Sequence, residues 1–199
     1  MKRNDFIFIF SVAVIVLALA NIAITISKTS MFTGRATGTL NLTVESGVSI
    51  NFTTGTIDWS SGVVVGGQLN ATLDSASGTV TNGNWTVNSA GLVLENIGNS
   101  NATINIKTGK TAAQFIGGTS PQYLLNFSNS EADSCYNFSG VSLGLWYAVN
   151  TTDPGTRVCG NLTFYNSTNS MRIDLKLGVP YDSQTGALSD IITATATSA

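Results

Sequence analysis

The chain contains no histidine, and its 199 residues include only nine lysines and arginines. Histidine is the most common general base and the most common metal ligand in proteins, so its absence excludes the usual Ser-His and Cys-His nucleophile systems. The basic residues are scattered along the sequence, and only Lys2 and Arg3 are adjacent. Nucleic-acid binding requires clustered positive charge. We therefore expect no nucleic-acid partner, no metal and no cofactor.

Charge of either sign is scarce, since Asp, Glu, Lys and Arg together make up 10% of the chain. A typical soluble domain has about a quarter of its residues charged. Serine and threonine instead supply 48 residues, and asparagine supplies 19. Uncharged polar side chains, or groups attached to them, must therefore keep the surface solvated.

Helix signals and prolines are rare after Thr37. The three prolines, at positions 121, 154 and 180, lie where strands should end. Ten to twelve short strand-like segments follow one another with turn signals between them, and Asn82-Gly83 predicts a hairpin. The pattern predicts an all-β fold, a single antiparallel β-sandwich of Ig-like or jelly-roll type over residues 37–199.

One long hydrophobic run lies near the N-terminus. After the charged start "MKRND", the run from Phe6 to Ile26 is long enough either for a signal peptide or for a membrane anchor. In the first case Ala18-Leu19-Ala20 is the cleavage site; in the second, residues 6–26 stay in the membrane. Type IV pilins are a weaker match, because no processing site precedes Phe6. Both main readings predict an exported or surface-anchored protein.

The end of the hydrophobic run has the period of a strand rather than of a helix. Ile22, Ile24 and Ile26 alternate with small or polar residues in "NIAITISKT". After cleavage at Ala20, residues 21–29 would be a free strand able to pair with the sheet of another copy, followed by a linker over residues 27–36. The alternative is that these isoleucines belong to an anchor helix.

The chain has two cysteines, Cys135 and Cys159. In an oxidising compartment we expect them to form a disulfide, which in the chain-entropy model adds roughly 3 kcal/mol for a loop of this length. Their spacing does not match a metal site.

N-x-S/T sequons occur about twice as often as chance predicts. Residues i and i+2 of a strand share one face, so a sequon in a strand places its Asn and Thr outward and its middle residue inward. Two of them occur in "LNLTVESGVSINFTTG", where Leu40, Leu42, Val44, Val48, Ile50 and Phe52 form the expected inward row. We predict N-glycosylation at the ten sequons, at Asn41, Asn51, Asn70, Asn84, Asn101, Asn126, Asn137, Asn150, Asn161 and Asn166.

Two other chemistries are weaker. Glu131, Asp133 and Asp153 are close in sequence to the cysteines and are candidates for paired-carboxylate hydrolysis or Ca²⁺ binding, but a solvated loop is the better explanation for them. The aromatic residues Trp59, Trp85, Trp146 and Tyr147 are candidates for a carbohydrate-stacking platform. Trp85 and one of the adjacent pair Trp146 and Tyr147 should instead lie in the core.

The order of the segments resembles the secreted fibre-forming family of TasA and camelysin and the related archaeal bundling pilins. The matching pieces are the N-terminal signal, "TGTLNLTV", "LVLENIGNSNATINI" and "LKLGVPYDSQTGALSDIITATAT". The sequon-rich, low-complexity composition also resembles glycosylated archaeal surface proteins. The resemblance implies a β-sandwich subunit whose N-terminal strand, here residues 21–29, inserts into the next subunit.

Three hypotheses for function follow. The first is a non-enzymatic, glycosylated surface protein that forms a fibre, pilus or coat with copies of itself or other surface proteins, through Ile22, Ile24 and Ile26. The second is a monomeric adhesin or carbohydrate-binding module anchored in the membrane by residues 6–26. The third is a secreted hydrolase that uses Asp or Glu alone.

Overall fold

The computed structural model describes residues 3–29 and 40–199, without the side chains of residues 3, 5–8 and 22–29. Contacts divide the chain into two compact units, Met1–Val44 and Glu45–Ala199. In chain order the elements are α1 (Arg3–Thr29), β1 (Ile50–Thr54), β2 (Asn70–Asp74), β3 (Thr79–Thr81), β4 (Leu92–Asn96), β5 (Ala102–Thr108), α2 (Ala112–Phe115), β6 (Gln122–Asn129), β7 (Trp146–Ala148), β8 (Thr156–Leu162), β9 (Ser170–Pro180) and β10 (Ile192–Ser198). The ten strands fall within the range that the sequence predicts.

Helix α1 extends through the range 21–29, for which the alternation of isoleucines predicts a strand. A helix satisfies its backbone hydrogen bonds internally, whereas a strand needs a partner for them. The side chains of Ile22, Ile24 and Ile26 and most of the proposed linker lie outside the described residues. Among the described residues, no helix has both the length and the hydropathy needed to cross a membrane.

The larger of two antiparallel sheets is organised around β9. On one side, β6 pairs with β9 from Met171 to Gly178, and β7 pairs with β6. On the other side, β9 has two partners placed end to end: β4 pairs with residues 170–173, and β2 pairs with residues 176–180. Strand β1 continues the sheet beyond β4, and β3 continues it beyond β2. The sheet therefore forks at Asp174 and Leu175.

A polar cluster, buried at Ser75 and Asp174, fills the fork. The Arg172 guanidinium donates from both Nε and Nη2 to the Asp174 carboxylate, each at 2.8 Å, and Nη2 also donates to the Ser89 carbonyl at 2.8 Å. Ser75 belongs to the same cluster, and its backbone N–H donates to the Leu175 carbonyl at 3.0 Å. These contacts supply hydrogen-bond partners where neither β2 nor β4 reaches β9.

The smaller sheet has three strands in the order β10-β5-β8. Its inward residues, such as Ile104, Ile106 and Val158, belong to the same buried cluster as Leu94 and Ile173 of the large sheet. The chain is thus mostly β, and its two antiparallel sheets share one hydrophobic core, as the sequence predicts.

The predicted disulfide is confirmed, since Cys135 and Cys159 are bonded across 24 positions. It holds the segment 134–137 against the outer edge of β8. Tyr136 N donates to the Asn161 carbonyl at 3.1 Å, and Thr163 N donates to the Ser134 carbonyl at 2.9 Å. One edge of the small sheet is therefore covered.

Two local predictions are wrong. Asn82 has the positive φ of a turn residue, at 57°, but no strand begins directly after Gly83, and residues 82–84 bond instead to residues 63–65. The hairpin in this region joins β2 to β3. The inward row predicted from Leu40 to Phe52 is likewise found only from Val48 onward, because residues 40–49 form no strand and Leu40, Leu42 and Val44 are exposed.

Candidate functional site

An open seam lies between two edge strands, β1 of the large sheet and β10 of the small sheet. A cavity of about 230 Å³ in this seam is lined by Ile50, Asn51 and Phe52 of β1, Leu94 of β4 and Ala194 of β10. The inward side chains Ile192, Ala194 and Ala196 are only partly buried against the core. The core is therefore incompletely covered along this side of the domain.

The two edges of the small sheet differ. The β8 edge is covered by the segment 134–137 and the disulfide, whereas β10 pairs only with β5 among the described residues. Its sequence, "ITATATS", contains no charge, proline or glycine. Natural proteins usually block long flat edges with such residues, because the unpaired N–H and C=O groups recruit another strand. The β10 edge has the properties of a strand-pairing surface.

A second cavity, a groove of about 1180 Å³, adjoins the seam at Phe52, which lines both cavities. The floor of the groove consists of Leu73, Leu92, Leu175, Leu177 and Val179 from the large sheet. Its walls are the loops formed by residues 55–64 and 181–191. Loops held by a rigid sheet are the usual location of binding residues.

Aromatic side chains line the groove. Trp59 is buried, while Trp85 is half-buried and packs against the core. The Trp85 ring lies so close to Gly62 and Gly83 that a Cβ at either position would overlap it. Glycine at these two positions therefore permits the loops to close over the indole ring.

Two buried polar atoms of the groove have no hydrogen-bond partner among the residues that the structure describes. They are the donor Nε1 of Trp59 and the acceptor Oδ2 of Asp190. An unpaired buried polar atom costs about 1–3 kcal/mol, so each favours an occupant that supplies a partner. Burial raises the pKa of Tyr123 well above its usual range, and the nearby Asp190 charge adds to that effect. The groove therefore combines an apolar floor and polar loop walls with one buried donor and one buried acceptor that have no partner among the described residues.

The proposed aromatic platform is not assembled. Trp59 and Trp85 line the groove, whereas Trp146 lies on the opposite face of the large sheet. There, the Lys176 ammonium lies 4.3 Å from the Trp146 ring centroid and 2.9 Å from Asp74 Oδ2. Tyr147 points to the core, as predicted for one member of the pair.

The three candidate carboxylates have separate structural partners. Glu131 Oε2 accepts hydrogen bonds from the backbone N–H groups of Asn169 and Ser170, at 2.8 and 3.2 Å. Asp153 forms an ion pair with Lys107, and Asp133 is exposed in a turn. Among the described residues, no three Cys, Asp or Glu side chains are grouped so as to hold a metal ion.

The ten sequons differ in exposure. Asn101, Asn150 and Asn161 are half-buried, and Asn126 is only 7% exposed because its neighbours across β7 and β9 are Trp146 and Asp174. The predicted alternation holds at Asn51 and Asn70, where the Asn is exposed and Phe52 or Ala71 faces the core. The six acceptors whose side chains are exposed are Asn41, Asn51, Asn70, Asn84, Asn137 and Asn166.

Sequence reasoning missed the seam and the groove, because both depend on which strands end up at the sheet edges. One signal was present: the uncharged, uninterrupted sequence of β10 differs from that of a protected edge.

No protein-family model matches the chain, and comparisons with curated proteins and with solved structures also find no match.

Proposed function

We propose that this protein is a non-enzymatic, glycosylated structural subunit of an extracellular fibre, pilus or coat. In this proposal the two sheets are an incomplete β-sandwich of Ig-like or jelly-roll type. Copies assemble when a strand from one molecule enters the seam of the next and pairs with β10. The observation that carries the proposal is the seam, where an unprotected edge strand lies beside an incompletely covered core.

Strand addition accounts for both features of the seam together. The incoming backbone would pair with the free N–H and C=O groups of β10, and alternate side chains would enter the space between the sheets. Burial of apolar side chains supplies the driving force, at about 25 cal/mol for each Å² removed from water. A flat binding face for a soluble ligand would need neither an open edge nor an open core beside it.

Export and glycosylation complete the proposal. The hydrophobic N-terminus following Lys2 and Arg3, together with the Cys135–Cys159 disulfide, supports an exported protein. Six exposed acceptors on a chain with 10% charged residues support a surface solvated by glycan. The donated strand would come either from residues 21–29, released by cleavage after Ala20, or from another exposed segment.

A matched pair of substitutions in β10 tests the proposal. Ala194 lines the seam, whereas its neighbour Thr195 is exposed on the opposite face. We expect the Ala194→Glu chain to remain monomeric after export, and the Thr195→Glu chain to assemble like the wild type. Light scattering and electron microscopy measure the assembly state. A wild-type chain that is monomeric at high concentration would instead favour the adhesin or binding module.

A further inference from the structure

The segment Leu40–Val44 has the pattern of a strand but no strand partner within residues 3–29 and 40–199. Leu40, Leu42 and Val44 are 94%, 83% and 76% exposed, and they alternate with Asn41 and Thr43. Isolated exposed apolar residues are ordinary, but three in strict alternation would lie on one face of the chain if it were extended as a strand. Such a face, if left in water, is a site of association.

The chemistry of this segment matches the seam. Five extended residues span about 17 Å, which fits along the seven-residue strand β10. With three apolar side chains entering the seam, Asn41 and Thr43 would point away from the core, so the Asn41 sequon would stay accessible. The backbone of an extended peptide also presents C=O and N–H groups, which are the partners that Trp59 Nε1 and Asp190 Oδ2 lack among the described residues.

We infer that the occupant of the seam and groove is residues 40–44 of a second copy of this chain. This inference rests on the proposed function and names its donor strand, in place of residues 21–29. Leu40, Leu42 and Val44 are the side chains that enter, while Trp59 and Asp190 bind the incoming backbone.

The residues that follow the segment favour donation to a second molecule over folding back. Ile97 N donates to the Ser49 carbonyl at 2.9 Å, and Asn99 N donates to the Gly47 carbonyl at 3.0 Å. The Asn99 side chain also accepts from Gly47 N and donates to the Glu45 carbonyl. A hairpin that brought residues 40–44 back beside β1 would break these bonds, whereas donation in trans keeps them.

A fatty acid or another aliphatic ligand fits the observations less well. It would fill the apolar groove but would leave the free backbone groups of β10 without partners. It would also leave unexplained the exposed apolar face of residues 40–44 in the same molecule. An extended peptide satisfies all three features.

Mixing two defective chains tests the donor and separates it from the proposed function. Leu42→Asp disables the donor, Ala194→Glu disables the acceptor, and Ser46→Asp is a matched control outside the alternating segment. We expect each of the first two exported, full-length variants alone to be monomeric, their mixture to form one-to-one dimers, and Ser46→Asp to assemble normally.

The outcomes of that mixture are distinguishable. If Ala194→Glu blocks assembly but Leu42→Asp does not, the seam is the acceptor and another segment is the donor, so this inference fails alone. If neither variant blocks assembly, the proposed function fails with it. If both variants are monomeric and the mixture forms no dimer, donation in trans is overturned.

A peptide of residues 38–46, "GTLNLTVES", provides a second test on the Leu42→Asp chain, whose own donor is disabled. We expect it to bind and change the tryptophan fluorescence, and a peptide with threonine at positions 40, 42 and 44 not to bind. Trp59→Phe removes the indole donor, and Asp190→Asn replaces an acceptor oxygen with an amide donor; each should weaken binding about 2- to 10-fold. Saturable binding of a fatty acid without binding of the peptide would overturn the inference.

Discussion

Ser75 Oγ donates a hydrogen bond to Asp174 Oδ1 at 2.8 Å, across 99 positions of sequence. The same hydroxyl accepts from the backbone N–H of Leu175 at 2.9 Å. Both contacts lie at the fork of the large sheet, where the ladder of β9 passes from β4 to β2. A serine side chain therefore supplies a hydrogen-bond partner to β9 at the point where the fork omits a strand.

Removal of that hydroxyl should be costly. Ser75→Ala leaves the buried Leu175 N–H without an acceptor, so we expect the free energy of unfolding to fall by about 1–3 kcal/mol. Ser77→Ala is the matched control, because Ser77 is exposed and its hydroxyl is hydrogen-bonded to Thr79, which is also exposed; its cost should stay below about 0.5 kcal/mol. Urea unfolding of both variants measures the difference. Equal losses would show that Ser75 does not hold the fork.

Tyr123 predicts a dependence of stability on alkaline pH. Burial raises its pKa in the folded state, and the neighbouring Asp190 adds to that effect. The unfolded chain therefore loses this proton near pH 10 while the folded chain keeps it. The stabilisation is complete below pH 10 and falls by about 1.4 kcal/mol per pH unit above it.

The Tyr123→Phe substitution isolates this effect. Its free energy of unfolding should fall less steeply than that of the wild type between pH 10 and 11. Tyr136→Phe, at an exposed tyrosine, should follow the wild-type curve. If the free energy of unfolding fell equally steeply with pH in the wild type and in Tyr123→Phe, the buried Tyr123 would not be the cause of the pH dependence.

The disulfide should contribute substantially to stability. Closing a loop with a sequence separation of 24 restricts the unfolded chain, so the double substitution Cys135→Ala and Cys159→Ala should cost about 3 kcal/mol. The segment 134–137 should also leave the edge of β8, which hydrogen exchange at Tyr136 N and Thr163 N would detect. Unchanged protection at both amides would show that the backbone bonds suffice without the covalent link.

Glycan occupancy should follow exposure. We expect glycan at the six exposed acceptors, and none at Asn126, whose side chain is buried between β7 and β9. Glycopeptide mass spectrometry of the protein from its native host gives the occupancy at each site. A bare polypeptide mass would refute glycosylation, and glycan at Asn126 would show that attachment precedes folding of the large sheet.

The sequence predicts the β class well, because alternation is a local property. Phe52, Ala71 and Tyr147 face the core as their strand period predicts. The Cys135–Cys159 pair is also predicted correctly, since the chain offers no other pairing.

Local patterns fail where the outcome depends on the rest of the chain. Leu42 has the same alternation as Phe52 but remains exposed, because residues 40–49 form no strand. Asn126 satisfies the sequon rule, yet a neighbouring strand covers it. The fork, the seam and the groove depend on the order of the strands in the sheets. The alternation of apolar and polar residues along each strand does not specify that order.

The central claim, that residues 40–44 of one molecule occupy the seam of another, can be tested most directly by cysteine trapping. Chains with Cys at position 40, 42 or 44 are mixed with a chain carrying Ala194→Cys, and with a control chain carrying Thr195→Cys. The account predicts a disulfide-linked dimer with Ala194→Cys for at least one donor position, and none with Thr195→Cys. No dimer at any donor position, or equal trapping at positions 194 and 195, would contradict it.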